Sequence, residues 1–133
     1  MAYAGSVTNT NTFPVLAAIL LALAVMLGAF GAHGLRGRLD AYSMGVWERA
    51  VFYHFVHALG LLIVSILPRI GMLRPAPAAW ICWLLAAGIV LFCGSLYVLA
   101  LTGVRLLGAV TPLGGLAFIA AWLLLAGALA RRG

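Results

Sequence analysis

The chain contains no lysine and no glutamine, and only two acidic residues, Asp40 and Glu48, in 133 positions. Its positive charge rests on arginine alone: Arg36, Arg38, Arg49, Arg69, Arg74, Arg105, Arg131 and Arg132. Charged residues make up 8% of the chain and hydrophobic residues 66%. A water-soluble domain of this length needs a far more charged surface, so that class is excluded. The arginines stand singly or in pairs at the ends of apolar runs. That is the pattern of helix-end anchors in a bilayer and argues against a nucleic-acid partner. The two cysteines, Cys82 and Cys93, lie eleven residues apart in one predicted helix. That spacing is roughly 16 Å along the axis, too far for a disulfide. Both are read as small apolar packing residues. No Gly-rich phosphate loop, nucleophile elbow or His-x-x-x-His zinc motif occurs, so enzyme activity is not the favoured expectation and no cofactor is implied.

The apolar runs are long enough for membrane spans, each of which needs about 20 residues. Four are expected, at about residues 13–32, 46–67, 79–101 and 106–129, after a polar tail of residues 1–12. The expected fold is an all-α membrane protein, a four-helix transmembrane bundle with short loops. The tail has no lysine or arginine, so it does not read as a cleaved signal peptide. Thr12 is a plausible N-cap for the first helix and Ser43 for the second. Gly37 and Gly45 argue against a continuous helix between the first two spans. Pro68 ends the second span, and Thr111-Pro112 is expected to kink the fourth. Trp47, Tyr42, Trp80 and Trp83 suit the headgroup level.

Gly28, Gly31 and Gly34 recur every third residue, leaving a strip of bare backbone for another helix. At its end sits His33. Four antiparallel spans send the end of the first, the start of the second, the end of the third and the start of the fourth to one membrane face. That face receives His33, Asp40, Glu48, His54, His57, Ser95, Tyr97, Thr111 and Arg36, Arg38, Arg49 and Arg105. The opposite face receives both termini, Arg69, Arg74, Trp80 and Trp83, and no histidine or acid.

Polar groups in lipid are expensive and usually face the bundle interior. His54 and His57 share a helical face, and His33 approaches from the neighbouring helix. Three imidazoles are a weak candidate metal site. The plainer reading is that each histidine bonds a nearby carbonyl or hydroxyl, with Tyr97 and Thr111 as candidate partners. Arg36, Arg38, Arg49 and Arg105 form either a salt-bridge network with Asp40 and Glu48 or an anion or headgroup cluster.

Gly28-Ala29-Phe30-Gly31-Ala32-His33-Gly34-Leu35, Tyr53 with His57-Ala58-Leu59, Phe92-x-Gly94-Ser95-Leu96-Tyr97, Leu101-Thr102-Gly103 and Thr111-Pro112-Leu113-Gly114-Gly115 are similar to the blocks of the domain of unknown function 423 family, the UPF0382-type membrane proteins. The resemblance covers nearly all of the chain after the tail. It implies a small multi-span protein of the bacterial inner membrane with no established activity. His33, Tyr53, His57, Ser95, Tyr97 and Thr111 fall on its motif positions and are the candidate ligand-binding residues. His54, Glu48 and Arg49 do not.

Three functions compete. The first is a binding or accessory protein holding a lipid, a hydrophobic small molecule or a partner subunit, alone, as a homo-oligomer or within a larger membrane complex. The second is a proton-linked transporter or channel using His33 and His57. The third is a metal-dependent membrane enzyme. The positive charges are shared evenly between the two faces. Both termini are placed in the cytoplasm because the arginines beside them stand in plain turns and the tail.

Overall fold

The computed structural model describes residues 11–132. The expected polar tail lies almost wholly outside the described residues. Four helices are long and apolar enough to cross a membrane: α1 (Thr12–Leu35), α2 (Ala41–Ile66), α3 (Pro75–Thr102) and α4 (Arg105–Ala130). Among the described residues there is no strand. The protein is an all-α, four-helix transmembrane bundle. Helix α1 packs on α2, α2 on α3, and α3 on α4.

The helix ends follow local chemistry. Asp40 caps α2 by accepting the Ser43 N–H at 2.7 Å. That bond holds the Asp40 carboxyl below its ordinary range. Ser43 is therefore a first-turn residue and not the cap. The expectation for α1 is also corrected, because Asn11 occupies the cap position without a side-chain cap bond and Thr12 is already helical. Gly37 breaks the α1–α2 connection with φ +83°, while Gly45 lies inside α2. Helix α2 consequently starts at Ala41, earlier than the expected residue 46. Gly71 (φ +74°) turns the α2–α3 connection, and Gly103 (φ +70°) ends α3 with its N–H on the Leu99 carbonyl.

Thr111 and Pro112 stand at the start of the α-helical body of α4 and not inside it. A 3-10 turn covers Arg105–Ala109, and the α-helical body runs Thr111–Ala130 with proline in its first turn. There the missing N–H costs nothing, since first-turn donors have no intrahelical partner. Two π turns interrupt the other helices, Gly31–Leu35 in α1 and Ile89–Gly94 in α3. A π turn admits an extra residue and re-aims the side chains around it.

The core has two apolar centres. One holds Leu61, Val64, Ile81, Cys82, Leu85, Cys93, Phe118 and Ala121. The other holds Leu35, Val46, Trp47, Ala50, Leu96 and Leu99. Phe92 and Tyr97 pack against both and join them. Cys82 and Cys93 are buried free thiols, as their spacing requires.

Glycines set the helix approach. A Cβ on Gly114 would lie 2.3 Å from the Phe92 backbone nitrogen and 2.8 Å from its Cα. One on Gly88 would lie 2.4 Å from the Phe118 ring, and one on Gly31 2.5 Å from the Trp47 indole nitrogen. In hydrocarbon there is no hydrophobic drive between helices, so such backbone-level contact supplies the dispersion that holds them.

Gly114 and Gly115 separate the effect of contact from that of composition. Alanine at 114 meets rigid backbone, whereas at 115 it meets only ordinary contact at 3.8 Å from the Phe92 ring. Gly114→Ala is expected to destabilise the bundle by about 1–3 kcal/mol. Gly115→Ala is expected to change it by less than about 0.5 kcal/mol. Unfolding in mixed detergent micelles, followed by circular dichroism, measures both.

Candidate functional site

The polar side chains inside the spans form a joint built mostly on α2. His54 and His57 are 3% and 5% exposed, and Ser95 of α3 is 6% exposed. Because α2 begins at Ala41, His54 lies roughly 20 Å along a helix of about 39 Å. Counted along α2, the histidines thus lie near the middle of the helix and not in its first turns, as a start at residue 46 implied.

Among the described residues, each buried polar side-chain atom has a hydrogen-bond partner, with one exception. His57 Nδ1 donates to the Tyr53 carbonyl at 2.8 Å. The carbonyl only accepts, so the proton of a neutral His57 is on Nδ1. The His57 ring stacks on Phe118 with centroids 3.5 Å apart and planes 14° from parallel. Tyr53 lies near both rings, its centroid 5.8 Å from that of His57 and its plane only 5° from parallel to it. His54 Nδ1 pairs with the Tyr97 hydroxyl at 3.0 Å. Its Nε2 is buried without a hydrogen-bond partner. Tyr97 itself lies against Trp47, with centroids 4.7 Å apart. Trp47 donates its indole N–H to the Leu27 carbonyl of α1 at 3.0 Å. The run Trp47–Tyr97–His54 therefore ties three helices together.

Beside the second π turn, Ser95 Oγ donates to the Phe92 carbonyl at 3.0 Å and lies 2.7 Å from Thr111 Oγ1. With Thr111 donating to Ser95, every proton in this chain has an acceptor. The pair joins α3 to the start of α4. Thr111 is thus a partner of Ser95 and not of a histidine.

His33 is exposed on the last turn of α1, whereas His57 is buried. The expected meeting of these two imidazoles does not occur. Among the described residues no three His, Cys, Asp or Glu side chains are grouped so that they could hold a metal ion. Arg36, Arg38, Arg49 and Arg105 are all exposed. Arg36 lines a groove, together with Glu48. This groove has a volume of about 320 Å³, lies between α1 and α2, and is floored by Gly28, Gly31, Trp47, Val51 and Phe55.

Phe92 and Phe118 carry much of the joint, and sequence reasoning did not single them out as site residues. An isolated phenylalanine in an apolar helix has no pattern that separates a stacking partner from a lipid-facing ring. The expectation that the histidines bond a nearby carbonyl or hydroxyl, with Tyr97 among the candidate partners, is met at His54, whose bond to Tyr97 crosses 43 residues.

Fold and joint together define a class: a small four-span membrane protein whose buried histidines are tied into aromatic and hydroxyl contacts between helices. The chain belongs to a family known by its model as "Protein of unknown function (DUF423)", matched over residues 27–115. That match begins at Leu27, whose carbonyl receives Trp47, and ends at Gly115 beside the α3–α4 contact. A UPF0382 membrane protein of Staphylococcus haemolyticus is 50% identical, covering 85% of this chain and 90% of that one. The UPF0382 membrane protein YwdK of Bacillus subtilis is 49% identical, covering 86% and 93%. No solved structure matches the chain significantly.

Tyr97→Phe removes the hydroxyl partner of His54 Nδ1. It is expected to cost about 0.6–1.7 kcal/mol, the range for interhelical hydrogen bonds in membranes. In a His54→Leu background the same change is expected to cost much less, because the orphaned group is gone. Unfolding of the two single variants and the double variant in micelles gives the coupling directly.

Proposed function

We propose that the protein is a binding or accessory component of the bacterial inner membrane, not an enzyme. Its occupant is a molecule with an apolar body and a polar end: a lipid, a hydrophobic small molecule or the transmembrane helix of a partner subunit. The observation that carries this reading is the groove between α1 and α2. Its floor is apolar and partly glycine, and its rim holds Arg36 and Glu48. Phe52 on its edge is 65% exposed. An apolar pocket with a few polar groups at one end is the usual form of a small-molecule site. Arginine at the headgroup level adds attraction for lipid phosphate.

The joint around His54 and His57 supports the same reading from the other direction. Its imidazoles are occupied in stacking and in bonds within and between helices, which suits a structural role for the interior. On this reading the working surface is the perimeter. We further place both termini in the cytoplasm, with Arg69, Arg74, Arg131 and Arg132 on that side. A reporter fused after Gly133 tests this: fluorescence of a cytoplasm-dependent protein is expected, and alkaline phosphatase activity contradicts it.

A photo-crosslinking residue tests the groove in living cells. Placed at Phe52, it is expected to yield a discrete lipid or protein adduct. At Ile119 on α4, also 57% exposed, it is expected to give only diffuse labelling. Equal labelling patterns at the two positions would remove the groove from the account.

A further inference from the structure

A second groove lies at the opposite end of the bundle, between the start of α3 and the end of α4. It has a volume of about 500 Å³ and is lined by Leu73, Arg74, Pro77, Trp80, Ile81, Leu124, Ala128, Arg131 and Arg132. We propose that this groove is a binding site for an anionic phospholipid, with the phosphate held by Arg74, Arg131 and Arg132 and an acyl chain lying against Trp80 and Leu124. The site is independent of the α1–α2 groove.

Charge is the first argument. Three of the eight arginines converge here from distant parts of the chain. Asp40 and Glu48 are the only acidic side chains in the sequence, and both stand at the far end of the bundle, at the start of α2. No acidic side chain of this protein is therefore available to neutralise the three guanidinium groups. The groove therefore presents uncompensated positive side-chain charge that complements an anionic headgroup.

Preorganisation is the second. Arg132 donates to the Gly71 carbonyl, which pins it to the α2–α3 turn. The Arg131 guanidinium lies back over Gly127, where a Cβ would approach its Nη2 at 3.9 Å. Arg74 immediately precedes the first turn of α3. Guanidinium groups match phosphate oxygens with paired hydrogen bonds, and part of the ordering cost is already met in the free protein.

The third argument separates a lipid from a free phosphate ion. Leu73 and Ile81 make a buried apolar wall, while Trp80 is 70% exposed and Leu124 50% exposed. The groove thus opens from the cationic end onto the hydrocarbon-facing flank of α3 and α4. A soluble anion would leave this flank unused. A phospholipid matches both parts, and Trp80 sits at the headgroup level where indole rings prefer to lie. Basic pockets between transmembrane helices are a recurrent form of anionic-lipid site.

The test uses the full chain in a zwitterionic detergent, with native mass spectrometry and thermal unfolding as readouts. The probes are phosphatidylglycerol, phosphatidylcholine of the same acyl chains, and inorganic phosphate. Phosphatidylglycerol is expected to be retained as a discrete adduct and to raise the unfolding temperature; the other two are expected to do neither. Arg74→Gln/Arg131→Gln is expected to weaken phosphatidylglycerol binding about ten- to thirtyfold. Arg38→Gln/Arg105→Gln at the other end, where neither arginine lines a groove described above, is expected to leave it unchanged. Equal retention of phosphatidylcholine overturns the proposal, as does equal loss in the two double variants. Stabilisation by inorganic phosphate alone assigns the groove to a soluble anion and overturns the lipid. Should Arg74→Gln/Arg131→Gln not fold, Arg74→Gln alone is compared with Arg74→Lys. The glutamine variant is expected to bind more weakly, and equal binding by the two overturns the proposal.

Discussion

Helices surrounded by hydrocarbon gain nothing by hiding leucine from lipid, and the rest of this structure depends on that fact. Association must come from close contact and from polar groups that need partners. The protein meets the first need with glycine placed opposite an aromatic ring or a backbone. Gly31 admits the Trp47 indole, Gly88 admits the Phe118 ring, and Gly114 admits the Phe92 backbone. The π turns at Gly31–Leu35 and Ile89–Gly94 occur in the same regions. Helices α2 and α3 form the spine of the bundle, with 39% and 44% of their apolar windows buried. For α1 and α4 the share is 17% each.

The second need is met by the joint around the histidines. Tyr97 serves His54, the Tyr53 carbonyl serves His57, and Ser95 and Thr111 serve one another. On the proposed reading, the binding surfaces are then displaced to the ends and flanks. There arginine, tryptophan and apolar floor meet at headgroup depth, and the bundle interior acts as the rigid frame that sets the two grooves apart.

Much of this was legible in the sequence because the signals are local. Runs of about 20 apolar residues mark spans, and alternating spans assign each loop to a face. The bare strip at Gly28–Gly34 indicated a helix contact, and Gly31 makes it. What was misplaced depended on non-local geometry. One capping carboxylate, Asp40, starts α2 at Ala41, so His54 and His57 fall near the middle of that helix instead of in its first turns. His33 is on the right helix and at the right end, yet its side chain is exposed, and residue spacing alone did not reveal that orientation. The groove of Arg74, Arg131 and Arg132 was invisible because its parts are some 57 residues apart. Only the packing of α3 on α4 brings them together.

The central claim is that a glycine stands where a ring must enter. The most direct test is the coupling between Gly31→Ala and Trp47→Leu, measured by steric trapping in bicelles. In the native background Gly31→Ala is expected to destabilise by about 1–3 kcal/mol, since its Cβ would collide with the indole. With Trp47→Leu already present, the same substitution is expected to cost less than about 0.5 kcal/mol. An equal cost in both backgrounds would contradict the account and show that Gly31 matters for some reason other than the approach of Trp47.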